Sequence, residues 1–336
     1  MKNIFTILAL LLLPFGVYGQ ITLCGGEQAC LVASPYTGSL QWQRSPDMIS
    51  WTNISLATTD TFCLAPLTTA YYRAEVMNGT CDPIYSDTTL INVIPTSNGV
   101  DTFFFTGTTQ QFIVNCIDSV VITCFGAQGG TVTNGPNPGG LGAIMSGKFN
   151  VSDGDTLTII VGGQGSNEQY TSGGGGGTGV AKGNTPWIIA GGGAGVDFQD
   201  ASYLGRHAVT TNDGIGGNSG GGAGGTAGGN GGDYIYGGDN ISRGGLGWTA
   251  GMMGTTGPNG SSSNTVTTSG TFGLGGGGGS VGSGWCNCGA GGGGYSGGGA
   301  GNINTSGGGG GSYNIGVNQN NTGGAHTGNG MVIISW

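Results

Sequence analysis

The residues with most chemistry to offer are eight cysteines, Cys24, Cys30, Cys63, Cys81, Cys116, Cys124, Cys286 and Cys288, and two histidines, His207 and His326. An even cysteine count behind an export signal points to disulfides rather than thiol catalysis. Spacing does not fix their pairing. The reading adopted is Cys24–Cys81 and Cys30–Cys63, then Cys116–Cys124, with Cys286 and Cys288 bonded to each other or to other cysteines. Cys286-Asn287-Cys288 plus the histidines also resembles a zinc set, but structural zinc uses two to four residues between paired cysteines. No metal and no cofactor is expected. His207 has Arg206 beside it and Asp213 nearby, yet no nucleophile is placed for it to activate. Asp153 and Asp155 flank Gly154 as turn residues rather than as an acid–base pair. No catalytic residue is assigned, and an enzyme is not expected.

Two glycine motifs need the same scrutiny. G-x-G-x-x-G occurs repeatedly, but at this glycine content chance produces it, and a nucleotide site also needs a βαβ unit. No helix is legible. Gly228–Tyr236 fits one calcium-binding nonapeptide, whereas such sites are completed by stacked copies. Binding is the better-supported chemistry. The stretch 197–213 carries Phe198, Tyr203, Arg206 and His207, and 233–253 carries Tyr234, Tyr236, Arg243 and Trp248. Tyr, Trp and Arg dominate binding hot spots because they bury area at small entropy loss. The plainer alternative is that these side chains plug the edges of the surrounding glycine.

The elements that would position them follow from composition. The chain has 336 residues, 81 of them glycine, and a formal charge of −9 from 16 acidic and 7 basic side chains. With no basic run, nucleic acid is not an expected partner. Residues 1–19 read as a signal peptide, with Lys2 at the charged start and Ile4–Phe15 as the apolar stretch, so that Gln20 begins the mature chain. That stretch is shorter than the roughly 20 apolar residues of a membrane span. No span is expected in the mature chain, and the localisation expected is secreted or cell-surface.

Only eight glycines precede residue 126. Residues 20–95 alternate short apolar runs with turns: Ala29–Ala33, Leu40–Gln43, Phe62–Leu64, Tyr71–Val76 and Leu90–Ile94 are strand candidates. After a linker at 96–102, strand candidates return at Phe103–Phe105, Phe112–Val114, Val120–Phe125, Ala143–Phe149 and Leu157–Val161. Met331–Trp336 is one more. A lone strand is not stable in water, so it must come back to pair with that block. The glycine of 162–330 is then an insertion held at both ends, not a tail. It is not linker-like either: large apolar residues such as Trp187-Ile188-Ile189, Leu246, Trp248 and Tyr295 interrupt pure blocks such as Gly173–Gly177 and Gly307–Gly311. Blocks of similar length fit extended polyproline II-like rods, whose backbone groups must pair laterally. Lateral contact on every side calls for glycine throughout.

The pattern Trp42-x-x-Ser45-Pro46, Trp51-x-x-Ile54 and Tyr71-Tyr72-Arg73-Ala74 resembles the immunoglobulin-like modules of secreted bacterial proteins. Further on, Phe105-Thr106-Gly107, Phe112-Ile113-Val114, Gly126-Ala127-Gln128-Gly129-Gly130, Gly140-Leu141-Gly142-Ala143, Gly154-Asp155-Thr156-Leu157, Val161-Gly162-Gly163-Gln164-Gly165 and Ala190-Gly191-Gly192-Gly193 recur in order. Over about residues 103–336 this is similar to the glycine-rich domain of the anaplastic lymphoma kinase and leukocyte tyrosine kinase receptors and their bacterial relatives. The resemblance implies a β-sandwich, jelly-roll-like core (103–161 and 331–336) carrying a bundle of polyglycine II helices (162–330). It also implies a protein-ligand-binding role. Kinase chemistry does not transfer, because nothing here reads as a kinase catalytic loop. The expectation is an all-β chain acting as an adhesin-like binding protein for an extracellular protein or glycan. A structural matrix component without specific ligand, or an ice-binding protein, is the alternative.

Overall fold

The computed structural model describes residues 8–10, 19–135, 138–200, 206–236, 240–248, 266–267, 273–277, 280–281 and 287–336. The chain forms two compact units, Met1–Ser97 and Asn98–Trp336. Among the described residues it is all-β, with a single 3-10 turn at Asn218–Gly220.

The first unit stacks alternating side chains from two sheets. One sheet runs Gly19–Cys24, Thr89–Ile94, Ala70–Met77, Ser39–Ser45 and Thr52–Asn53, with Ile84–Tyr85 added to Ala70–Met77. The other runs Leu8–Leu10, Ala29–Val32 and Thr61–Leu64. Ala70, Tyr72, Ala74 and Val76 point inward at the two-residue period of a strand, and Trp42 is buried among them. The Trp42 indole donates to Thr59 O at 2.9 Å and stacks on Phe62 with centroids 5.7 Å apart. Cys30 and Cys63 are directly opposite on neighbouring strands and form a disulfide.

Two expected cysteine pairs are overturned. Cys24, Cys116 and Cys288 are in disulfides, but Cys81 and Cys124 are free thiols. Cys24 cannot reach Cys81. Cys24 ends its strand beside Ile94, while the sheet register pairs Ala70 with Ile91 and sends Met77, and Cys81 beyond it, to the opposite end of the strands. The intervening ten or so residues of strand amount to about 30 Å. Cys124 lies five residues into the strand Ser119–Phe125, about 17 Å from its start, far beyond the Cα separation a bridge to Cys116 permits. Strand alternation turns it into the apolar core instead, where burial pushes its thiol pKa well up. Cys286 lies outside the described residues.

The second unit begins earlier than the expected linker allows. Gly99 and Trp336 exchange backbone bonds at 3.0 Å, and the first strand is Val100–Phe104. It sits in an antiparallel sheet with Met331–Ser335, Ser119–Phe125, Gly142–Asn150 and Val317–His326, in that order. The facing antiparallel sheet is Gln110–Ile113, Thr156–Ile160, Thr178–Lys182, Thr185–Ala190 and Tyr313–Asn314. Between them pack Phe112, Ile122, Met145, Leu157, Ile188 and Ile334 with their neighbours. The terminal strand does return, between Val100–Phe104 and Ser119–Phe125. The core is larger than 103–161 plus 331–336, however, because four strands of the expected insertion belong to it. Trp187-Ile188-Ile189 is core strand rather than an interruption of rods.

Candidate functional site

From this core the glycine segments run outward, neither helix nor strand, and their hydrogen bonds repeat every three residues. Gly173 donates to Ser166 and Gly176 to Gly163; Gly174 donates to Gly277 and Gly177 to Leu274; Gly175 donates to Gly193. The rod at 290–295 does the same: Ala290 and Gly293 donate to Ser172 and Gly175, Gly291 and Gly294 to Arg243 and Leu246, Gly292 and Tyr295 to Gly308 and Gly311. Residues i and i+3 thus address one neighbour while i+1 and i+2 address two others. Buried amides far from any sheet are satisfied in this way. Rising numbers on both sides make those last three pairs parallel, and the falling pair 192/293 with 195/290 antiparallel.

Close approach explains the composition. A Cβ on Gly293 would lie 1.6 Å from Leu274 O, and one on Gly193 1.8 Å from Gly140 O. Yet glycine is not needed throughout, contrary to expectation. Ala127, Ala194, Ala290, Ser172 and Ser296 lie fully buried in rods. The serines bond the main chain: Ser172 Oγ donates to Gly130 O at 2.6 Å and accepts from Val196 N at 2.8 Å.

The register gives every rod an inner and an outer end. Gly177, Gly191, Gly294 and Gly311 lie at the inner end, where rods join core strands or abut Trp248 and Tyr295. At the outer end Gly195 donates to Ala290, Ala290 to Ser172, Gly307 to Gly195 and Gly301 to Gly289. The loops leaving the outer end form the candidate site. They comprise Asp197–Asp200, Arg206, Asn218–Gly220, Asp233–Tyr236 with Asn240–Arg243, and Asn302–Thr305.

Four of the sequence-derived binding residues come to this end, and two others, His207 and Trp248, do not. Arg206 is exposed there and donates through Nε to Asn218 Oδ1 at 2.9 Å. Tyr234 and Tyr236 lie on the hairpin Tyr234–Tyr236/Asn240–Ser242, with Tyr236 and Ile235 facing solvent. Arg243 pairs with Asp233 at 2.6 Å, and its Nε is buried without a hydrogen bond. Asp233 Oδ1 also accepts from Gly244 N at 2.9 Å, so the aspartate of the calcium-type nonapeptide caps the start of a rod. His207 sits one residue inward, half-buried, its Nδ1 accepting from Leu141 N at 2.9 Å. Trp248 is a correction: it is 8% exposed at the inner end, packed with Ala181, Ile189 and Leu274 under Tyr295 and Tyr313. It plugs the lattice, as the plainer alternative had it. Tyr203 lies outside the described residues.

Sequence reasoning missed the polar residues that tie these loops together. Asp200 Oδ2 accepts from Ser306 N at 2.8 Å and from Asn218 Nδ2 at 3.4 Å. With Arg206 on Asn218, three loops share one network. Asn302 Nδ2 donates to Ser219 O at 2.7 Å. Asp197 is fully buried, accepts from Gln199 N at 2.7 Å, and burial pushes its carboxyl up to about 7. The available signal was position: Asp, Asn and Ser occupy the first sites after a glycine block, where outward carbonyls and amides run out of neighbours.

Residues 16–95 match the model of a family described as a domain of unknown function (DUF8696). No curated protein matches the chain.

Proposed function

We propose that this is an exported, adhesin-like binding protein that recognises a protein or glycan on another surface through the outer-end loops of its glycine lattice. On this reading the rods are polyglycine II helices, and the first unit is an immunoglobulin-like spacer module. The observation that carries the proposal is the three-residue donor repeat. Three residues per turn is the screw of polyproline II geometry. Rods bonded to several neighbours hold the loops at their ends without loss of further entropy on binding. Disulfides suit an oxidising compartment. Among the described residues no helix is long and apolar enough to cross a membrane. The loop end offers what a recognition face uses: an exposed Arg206, and Ile235 with Tyr236 exposed on a hairpin.

The test is adhesion of the purified chain to intact cells and to immobilised glycans. Replacing Arg206, Ile235 and Tyr236 together by Ser abolishes adhesion while circular dichroism stays unchanged. Undiminished adhesion of that variant overturns the assignment.

A further inference from the structure

The first unit carries, on the solvent side of its larger sheet, a second cluster whose groups are fixed in place without an evident packing need. Arg73 and Glu75 alternate with the inward Tyr72, Ala74 and Val76 and so point outward. The register sets Asn53, Gln43 and Arg73 in one row across three strands, and Tyr85 beside Glu75. The Arg73 guanidinium is clamped between two rings, 4.0 Å from the Trp51 centroid and 3.8 Å from that of Tyr85. Its Nε donates to Gln43 Oε1 at 2.8 Å. Gln43 is 7% exposed, and its amide nitrogen donates to Asn53 Oδ1 at 2.9 Å and Glu75 Oε2 at 3.1 Å. Tyr85 OH donates to Glu75 Oε1 at 3.2 Å. One buried amide therefore sets the orientation of three surface side chains.

The turn before Trp51 is built to hold its ring there. Asp47 accepts from Ile49 N at 2.9 Å and Ser50 N at 2.8 Å, Met48 takes a φ of 64°, and the Trp51 indole donates to Met48 O at 3.0 Å. This gives the Ser45-Pro46-Asp47 segment a task that the strands alone leave unexplained.

We propose that this cluster is a sugar-binding site for a neutral pyranose bearing neighbouring hydroxyls. Among the described residues, the two terminal guanidinium nitrogens of Arg73 and Asn53 Nδ2 make no hydrogen bond. Both faces of the guanidinium are covered, so it is reached only along its edge, where two donors lie in one plane. The Glu75 carboxylate beside it retains lone pairs. A hydroxyl that accepts from Arg73 while donating to Glu75 uses both charges, and the adjacent hydroxyl meets Asn53. Arg73 covers the inner face of Tyr85, so the apolar C–H patch of the sugar lies against the rim of that ring, which is 48% exposed. Because the donors are already oriented, binding freezes few rotamers. Glu75 next to the cation, in a chain of net charge −9, disfavours a carboxylated sugar. The site uses no residue of the glycine lattice and stands apart from the reading of its loop end.

The experiment titrates the full chain with neutral gluco-, galacto- and manno-oligosaccharides, read by isothermal calorimetry and by tryptophan fluorescence. One of these series binds and perturbs the fluorescence. Arg73→Lys keeps the charge but loses the planar edge, and weakens binding by about tenfold or more. Glu75→Gln does likewise, and Tyr85→Ser removes binding while Tyr85→Phe retains part of it. Circular dichroism of each variant matches the parent, and the Arg206/Ile235/Tyr236 variant binds these sugars unchanged. No binding by the parent chain overturns the proposal. So does equal affinity of Arg73→Lys and Glu75→Gln, which would make the cluster a surface staple, or binding confined to uronic-acid glycans.

Discussion

Around Ile122 and around Gly293 the same unit buries its chain in opposite ways. In the paired sheets, main-chain bonds run within each layer and the side chains of Ile122, Leu157 and Ile334 fill the space between layers. In the lattice, backbone takes most of the space that side chains fill in the core: Gly293 has the carbonyl of Leu274 where its Cβ would be, and bonds run sideways to a different rod at each successive residue. The sheets gain from apolar area removed from water, a non-directional term that tolerates substitutions of similar volume. The lattice gains about 1 kcal/mol net per hydrogen bond, against 1–2 kcal/mol to order each glycine. It stands because its rods are anchored in core strands at the inner end and tied by polar caps at the outer end. Where a neighbouring carbonyl stands in the place of a Cβ, the lattice has no slack. A core can repack around a smaller side chain, but two fixed backbones cannot admit a methyl group between them.

Adding one carbon to a rod separates the two kinds of packing most strongly. Gly293→Ala is expected to destabilise by about 4 kcal/mol or more, above the 1–3 kcal/mol usual for overpacking a core, because the obstacle is a main-chain carbonyl rather than a movable side chain. Chemical denaturation measures it. A loss under about 1 kcal/mol would mean the rods are pliable and the distinction from the sheets is lost.

Acidity sharpens the contrast between rod ends and core. The Asp197 carboxyl has a folded pKa of about 7 against an ordinary 3.8, so the folded state keeps a proton that the unfolded chain releases between those values. Its stabilising contribution is full below about pH 4 and is lost as pH rises through about 7. The change is up to about 4 kcal/mol, from roughly 1.4 kcal/mol per pH unit. Asp197→Asn keeps an acceptor for Gln199 N and flattens that slope. An unchanged profile of unfolding midpoint between pH 4 and 8 would show that Asp197 ionises freely in the fold.

The smallest effect separates rods buried in the lattice from an exposed turn. Ser172→Ala leaves Val196 N without its acceptor and removes the donor to Gly130 O, a loss of about 1–3 kcal/mol. Gly154→Ala meets open space at a φ of +79°, and backbone strain alone costs about 1 kcal/mol. Equal losses at the two sites would place no premium on the caps.

Much of this was legible in residue order. The apolar alternation of Val120–Phe125 and Leu157–Val161 gave the strands, and the isolated run Met331–Ile334 required a partner far back along the chain. The edge strand Val317–His326 was invisible, because Val-Asn-Gln-Asn-Asn-Thr-Gly-Gly-Ala-His has no apolar alternation; most of it faces water, and only its pairing with Gly142–Asn150 makes it a strand. Of the candidate site, the exposed aromatics and arginines were visible as residue types. Their company was not: Asp200, Asn218 and Asn302 look like ordinary loop residues until rods separated by dozens of positions end side by side.

Residue order already argued against a spacer, since separated glycine blocks of similar length are broken by Trp, Leu and Tyr. It also determined that both ends of the second unit belong to one core. The fold alone revealed that Cys81 and Cys124 stay free, that Trp248 faces the core while Tyr236 faces water, and which loops share the outer end. Glycine carries no side chain to mark a face, so no periodicity records the neighbours of a rod. That information exists only in lateral bonds between backbones, and those form between segments whose distance along the chain says nothing about their distance in space.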